Sequence, residues 1–428
     1  MKLPALVLGI GAMVCVAGSA FALQGDADQT AAIQRLTARS EIVQALELAP
    51  DLEPGSEADL IELTEIPAPP FEEAARASRF AEMLQATGLA QASIDAVGNV
   101  IARRAGSGAG ETVAIVAHLD TVFPAGTDVT VRRRGGRLYA PGIGDDTRGL
   151  VLLLNVARLL ERAEIRTVAD ILFVGSVGEE GLGDLRGVRH LLRRGGPRVD
   201  RMIAIDGGSD SRIVNQALGS RRYRVTLTGP GGHSWGDFGL ANPAHALGRV
   251  THYFDEAAAL VVNTGAPASY NVGRIGGGTS VNAVPSESWA EIDLRSVDPA
   301  QVDRLEQALR DAVTQALDEQ NRARDRGESL HADFELIGDR PSGTVPLETL
   351  LVQQALAVTR FLGLRPQLGA ASTDANLPIA DGLPAITLGR GGTGGGAHAI
   401  EEWWAPRDAH IAVQRALLVL VASAGVVD

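Results

Sequence analysis

Metal-capable side chains recur beside apolar runs or inside glycine-rich turns. They are His118 and Asp120 in AHLD, Asp145 and Asp146 in PGIGDDTRG, Glu179 and Glu180 in VGEEG, Asp206 in AIDGG, and His398 in GGGAHAIEEW. Imidazole and carboxylate ligands of this kind suit zinc or another divalent cation, and their number suits two ions rather than one. An isolated Asp or Glu is ordinarily a surface or capping residue, and Glu401 and Glu402 read that way. His190, His252, His331 and His410 read as packing or surface residues. The recurrence of the others at strand ends and Gly-rich turns favours metal chemistry over coincidence.

Groups so far apart in sequence meet only if the fold gathers strand ends. The segments TVAIVAHLD from Thr112, ADILFVGSV from Ala169 and RMIAI from Arg201 are continuously apolar, as strands covered on both faces are. Between the first two lies GLVLLLNVARLLERA, long enough for a buried helix. Strand and helix alternate, which predicts an α/β fold with a doubly wound, mostly parallel sheet and a site at the carboxyl ends of its strands.

The pattern changes near Arg221. In RRYRVTLTG, Tyr223, Val225 and Leu227 share one face and Arg222, Arg224 and Thr226 the other, the signature of a half-exposed strand. A helix is expected from Asn242-Pro243, then strands near Tyr270 to Ile275 and Ser288 to Arg295. A second helix opens at Asp298-Pro299 with Val302, Leu305, Leu309, Val313 and Ala316 on one stripe, and a last strand carries Phe334 and Leu336. The order β-α-β-β-α-β fits a ferredoxin-like α+β module. After Pro341 the buried style returns, with a helix around Leu350 to Leu362, a strand from Pro384 and a closing helix from about Arg407. The expected organisation is a signal peptide over 1–22, a catalytic domain in two parts, 23–218 and 339–428, and an inserted lid over 219–338.

The start of the chain, Lys2, an apolar stretch from Leu3 to Ala17 and then Ala20-Phe21-Ala22, reads as a secretory signal peptide, so export to a periplasm or medium is expected. The stretch is shorter than the roughly 20 residues that span a bilayer, and Val14 before Cys15 is too large for a lipoprotein cleavage site, so no stable membrane anchor is expected. Cleavage after Ala22 removes Lys2 and Cys15, the chain's single lysine and single cysteine. That excludes a cysteine nucleophile, a disulfide, a lysine Schiff base and a P-loop lysine. The formal charge of −13 argues against nucleic acid as a partner.

Together the motifs resemble the co-catalytic zinc peptidases and deacylases, the family of peptidase T, carnosinase, glutamate carboxypeptidase and acetylornithine deacetylase. The resemblance covers nearly the whole mature chain. It rests on H-x-D after a strand, G-x-x-D-D before a helix, E-E after a strand, an acid after the next, G-x-x-x-H-S in the insert and a late Gly-rich loop with His. It implies His118 and Asp206 on one zinc, Glu180 and His398 on the other, and Asp145 bridging both through a residue joined to Asp146 by a cis peptide. Asp120 would sit behind His118 and hold its ring. Cobalt or manganese could replace zinc. Such ions bring the pKa of a shared water towards neutrality, and Glu179, beside Glu180, would be the general base that moves its proton.

The resemblance also implies that His233, in GPGGHSWG, reaches the partner subunit's site to steady an oxyanion, so a homodimer is expected. Asn282 in SVNAVP and Arg295 in EIDLR would hold a substrate carboxylate. A plain ion pair of Arg295 with Asp293 or Glu291 is the alternative. Thr147 stands where many relatives carry Lys, followed by Arg148. Asp at position 206 and the STDAN segment lean towards the aminopeptidase and dipeptidase branch. The expected substrate is a small peptide, with an N-acyl amino acid (deacylase) or carboxypeptidase substrate as the alternative.

Two other chemistries compete. Gly232-His233-Ser234-Trp235-Gly236 fits G-x-S-x-G, and Ser234, Asp374 and His398 follow the chain order of a serine-hydrolase triad. That reading needs a buried strand before Ser234 and a helix directly after it, and it leaves His118, Asp145, Glu180 and Asp206 unexplained. Gly389, Gly391 and Gly394 form a G-x-G-x-x-G, but AHAIEEWWAP does not read as the helix a dinucleotide site requires. A scaffold without metals, acting only in binding, fits poorly with so complete a ligand set.

Overall fold

The computed structural model describes residues 28–89, 91–108 and 110–427. The segment read as a signal peptide lies outside the described residues. Among the described residues no helix is long and apolar enough to cross a membrane.

A 9-stranded sheet forms the larger body. At its centre Asp170–Ser176, Thr112–His118, Arg201–Ile205 and Ala385–Leu388 run parallel and adjacent in that order. Antiparallel neighbours flank them: Val100–Arg104 beside Asp170–Ser176, and Arg212–Ala217 beside Ala385–Leu388. Every residue of Thr112–His118 is buried, which is why this strand is apolar on both faces rather than alternating. The register pairs His118 with Ser176 and Val116 with Ala204, so the three apolar strands finish at one level. Asp206 follows Ile205 directly, and Glu179 and Glu180 lie a few residues beyond Ser176.

The helix Gly149–Arg162 starts at once after the Asp145-Asp146 turn, and Leu150 through Ala157 are all buried, hence its apolar character all round. The closing helix runs His410–Ala424, three residues later than expected from Arg407. Asp408, with φ of 53°, is left-handed and keeps the helix from starting sooner. A small antiparallel sheet, unread in the sequence, links Thr393–Gly395, Trp403–Ala405, Arg137–Tyr139 and Arg132–Arg134. It fastens the loop of His398 to the loop of Asp145.

Residues 219–340 contribute a 4-stranded antiparallel sheet in the order Ala268–Gly277, Glu287–Ser296, Gly219–Thr228, His331–Arg340. The helices Pro243–Val262 and Pro299–Ala323 complete the β-α-β-β-α-β order. Both start as the sequence predicts. The Asn242 side chain accepts from the Ala244 amide at 2.9 Å and that of Asp298 from Ala300 at 3.0 Å, each followed by proline in the first turn. Tyr223, Val225, Leu227, Ile292 and Leu294 form a separate core with Phe254, Leu305 and Leu309 from the helices. The alternate positions, Arg222, Arg224, Asp293 and Arg295, occupy the open face of this lid sheet and are only half-buried.

Candidate metal centre

The strand ends converge. One ligand atom each from His118, Asp145 and Asp206, and likewise from Asp145, Glu180 and His398, lie within 4.8 Å of one another. Asp145 belongs to both sets. Its Oδ1 is 3.3 Å from His118 Nε2 and its Oδ2 is 3.3 Å from His398 Nε2, so one carboxylate faces two imidazoles. Glu180 Oε1 lies 3.0 Å from the same His398 nitrogen.

The backbone and buried acids hold these groups in place. His118 Nδ1 is 2.9 Å from the carbonyl oxygen of Asp120, which orients the ring. The Asp120 carboxylate was expected to hold that ring, but it stands 3.7 Å away and does other work. Fully buried, it accepts from the amides of Glu179 at 3.0 Å and Glu180 at 2.8 Å, fixing the glutamate pair. The Asp145–Asp146 peptide is cis. Asp146 is buried beneath it and accepts from the His118 amide. Gly149 makes this possible, since a Cβ there would come within 2.3 Å of the Asp146 carboxylate.

Burial pushes the Asp206 carboxyl up to about 6, with the negative charge of Asp145 adding to it. Burial likewise pushes Glu179 up to about 8, against the pull of the Arg340 guanidinium. Burial also raises Asp146 well above the usual carboxylate range. Hydrogen bonding to Asp145 and Glu180 lifts His398 to about 10. Imidazoles drawn towards protonation beside acids such as Asp206 and Glu179, whose charge burial disfavours, form a site that divalent cations would stabilise. The donor chemistry therefore fits a metal.

Residues 114–422 match the family described as Peptidase family M20/M25/M40. The chain belongs to that family. Carboxypeptidase G2 of Pseudomonas sp. (strain RS-16) is 26% identical over 140 residues, covering 32% of this chain and 33% of that protein. Among solved structures, the aminopeptidase PepT from Bacillus cereus ATCC 10987 superposes with a TM-score of 0.68 at 18% identity, covering 86% of this chain and 98% of its own. The di-peptidase Dug1p from Saccharomyces cerevisiae gives 0.71 at 16% identity, covering 90% and 99%. The expected peptidase and deacylase family and its mixed α/β fold are thus found, and M20 membership makes this chain a hydrolytic enzyme.

Other expected residues of this M20 chain fall elsewhere. Arg295 lines the cavity at the cluster and makes the ion pair with Asp293 that was its alternative reading. Asn282 does not join it. It lies directly before Ala283–Val284, which pairs with the short strand Gly232–His233, and is exposed, with its carbonyl accepting from the Ser234 amide at 2.9 Å. His233 is exposed on the same edge of the lid, its Nδ1 accepting from the amides of Trp235 and Gly236, and it does not line the cavity within its own chain. The serine triad does not assemble. Ser234 is exposed, Asp374 is buried against the Ser176 hydroxyl, and His398 faces Asp145 and Glu180. Gly389 leads into the strand Thr393–Gly395 instead of a helix, so the dinucleotide motif has no support. Arg148 turns away from the cluster, buried over the Trp404 ring at 4.9 Å and 3.5 Å from Glu53. Thr147 caps its own turn, donating to the Gly142 carbonyl at 2.7 Å.

Three residues at the site escaped the sequence reading. Glu402 is not a surface residue: it is buried and accepts from the amides of Gly142, Gly144 and Asp145 at 2.8–2.9 Å, clamping the loop that presents Asp145. Arg390, buried, reaches Asp145 at 3.4 Å and Asp206 at 3.7 Å and offsets part of their charge. Arg340, buried, donates to Glu179 Oε1 at 2.9 Å and to the Ser372 hydroxyl at 3.0 Å. Only Glu402 carried a usable signal, its position four residues after His398 in a Gly-rich loop.

Proposed function

We propose that this M20 enzyme is an exported dinuclear-zinc metallopeptidase that hydrolyses amide bonds of small peptides, as an aminopeptidase, dipeptidase or tripeptidase. The observation that carries the reading is Asp145: one carboxylate shared between two ligand sets is what a pair of ions requires. His118 and Asp206 would hold one ion, Glu180 and His398 the other. When bound, the ions supply electrophilic stabilisation and bring a water's pKa towards neutrality. Glu179 takes the water's proton and returns it to the leaving amine, and burial already favours the protonated form of its carboxyl that the second transfer needs. Arg340 holds the Glu179 carboxylate in place through Oε1. The exposed position of His233 suits a residue that acts across a dimer on the partner's site.

The printed names of PepT and Dug1p support the peptidase reading. The partial match to a carboxypeptidase and the cavity position of Arg295 favour the second reading, an N-acyl-amino-acid deacylase or carboxypeptidase with the same centre. The test is a hydrolysis screen of free dipeptides and tripeptides, blocked peptides and N-acetyl amino acids, run before and after chelation and after zinc is restored. Cleavage that needs a free amino terminus supports the peptidase, and cleavage of blocked substrates alone supports the deacylase. Activity untouched by exhaustive chelation removes both. Amino-terminal sequencing of secreted protein tests export, and sedimentation tests the dimer.

A further inference from the structure

The cavity at the cluster, about 230 Å³, lies between the large sheet and the lid. Asp145, Glu180 and Asp206 form its floor, and Arg222, Arg295 and Arg340 reach it from the lid as a wall. The chain that leaves the floor after Glu180 has an uncommon backbone. Asp184 and Leu185 follow one another in the left-handed region, with φ of 50° and 58°, a region that side chains disfavour. Burial accounts for Leu185, which is fully enclosed in the larger core. Asp184 is only half-buried, and its conformation must be held by something else.

It is held by the lid. Asp184 Oδ1 accepts from the Asp339 amide at 2.9 Å, and Oδ2 accepts from Arg189 at 3.1 Å. Arg189 also donates to the Asp339 carbonyl at 2.8 Å, so both backbone polar groups of Asp339 are engaged. An exposed ion pair such as Asp184 with Arg189 is worth little alone. What sets this one apart is the disfavoured backbone it maintains and the lid strand it grips. The next residue of that strand, Arg340, donates to Glu179 Oε1 at 2.9 Å. Two successive lid residues therefore hold both ends of the segment from Glu179 to Asp184.

Between those ends the segment is closed on itself. The Gly183 amide donates to the Glu180 carbonyl at 2.9 Å. A Cβ at Gly183 would come within 2.5 Å of the Gly178 Cα, so the turn at Asp184 packs directly on the backbone that leads into Glu179. Close-packed contacts of this kind transmit a displacement instead of absorbing it.

We propose that Asp184 is a positioning residue that latches the lid strand to the turn behind the glutamate pair, so that the seating of the lid sets the placement of Glu179 and Glu180. The kinetic consequence of the latch rests on the hydrolase reading above, and its structural consequence does not.

The test is Asp184→Gly, which relieves the left-handed backbone while deleting both side-chain bonds. On the best amide found in the hydrolysis screen, kcat of the zinc-loaded enzyme should fall by about 10- to 100-fold, the scale set by a misplaced catalytic group. KM should stay within about twofold, and the thermal midpoint should be no lower than the parent's. Amide exchange across residues 179–185 should quicken by about tenfold, the worth of roughly one hydrogen bond, while the strand Thr112–His118 keeps its protection. Asp184→Asn retains an acceptor for the Asp339 amide and tolerates left-handed backbone, so it should recover most of kcat. If Asp184→Gly fails to fold, Arg189→Met, a change at an exposed side chain, should show the same pattern at smaller amplitude. Parent-like exchange over 179–185, or a parent-like kcat on a cleaved amide, overturns the latch. A thermal midpoint that falls together with kcat also overturns it, since Asp184 would then only stabilise the fold. If no amide is cleaved yet exchange quickens as stated, the hydrolase reading fails and the latch stands.

Discussion

The two walls of the cavity are built on opposite principles. The floor stands on parallel strands buried on both faces, and its carboxylates and imidazoles sit where those strands stop and the chain turns. The lid wall stands on an antiparallel sheet with one face packed on helices and one face open, and its arginines are ordinary alternate positions of that open face. On the floor the backbone that presents Glu179, Glu180 and Asp145 is clamped by hydrogen bonds to the buried carboxylates of Asp120 and Glu402. On the wall, a single Asp293 orients two arginines. The floor is thus shaped to hold reacting atoms to a fixed geometry, and the wall to attract and sort charge.

The sharpest way to break the floor is to remove its shared carboxylate. Asp145→Ala should abolish detectable turnover and lower bound metal below one ion per chain, measured by elemental analysis after dialysis. Retention of two ions would end the bridging role. Next in size, Glu179→Gln should lower kcat by about 10²- to 10⁴-fold with metal content unchanged, because proton transfer is lost while the ligands stay. A variant that keeps more than about a tenth of its activity would remove Glu179 as the base. Smaller again, Glu402→Gln keeps the volume of the side chain but loses the charge that accepts from three amides. Metal affinity should fall by about 10- to 100-fold, read by competition with a chelating dye. An unchanged affinity would mean the Asp145 loop is held well enough by the small sheet beside it.

The same contrast explains what the sequence disclosed. Strand ends on a buried sheet are conspicuous, because a run such as TVAIVAHLD changes from wholly apolar to metal-capable in one step, and that change located His118, Glu180 and Asp206. The lid's α+β order was equally legible from alternation at Tyr223, Val225 and Leu227 and from the Asn-Pro and Asp-Pro helix starts. Arg222 was not, since an arginine on a half-exposed strand looks like solvated charge, and only the tertiary docking of the lid face onto the cavity distinguishes it. Glu402 was misread for a similar reason. Its place in the Gly-rich loop of His398 was the one local hint, and its three partners are amides about 260 residues earlier, which no local pattern shows. Asp120 shows the limit of resemblance: the residue belongs at the site, but its carboxylate holds the glutamate backbone and its carbonyl holds the histidine ring.

The gentlest test asks whether floor and wall are energetically separable. The lid has its own core, in which Leu309 is fully buried with Leu305, Phe254 and Ile292 and shares no cluster with the large sheet. Leu309→Ala removes buried methyl groups and leaves a cavity, which should cost about 2–5 kcal/mol of lid stability. The floor is supported instead by Ile115, Val116, Phe173 and Ile203 of the other core. Metal affinity should therefore stay within about twofold of the parent, since distant sites with no shared partners add independently, while thermal unfolding acquires an earlier transition. A single shifted transition accompanied by weaker metal binding would mean that the two cores melt as one unit, and that the lid helps to hold the ligands as well as to cover them.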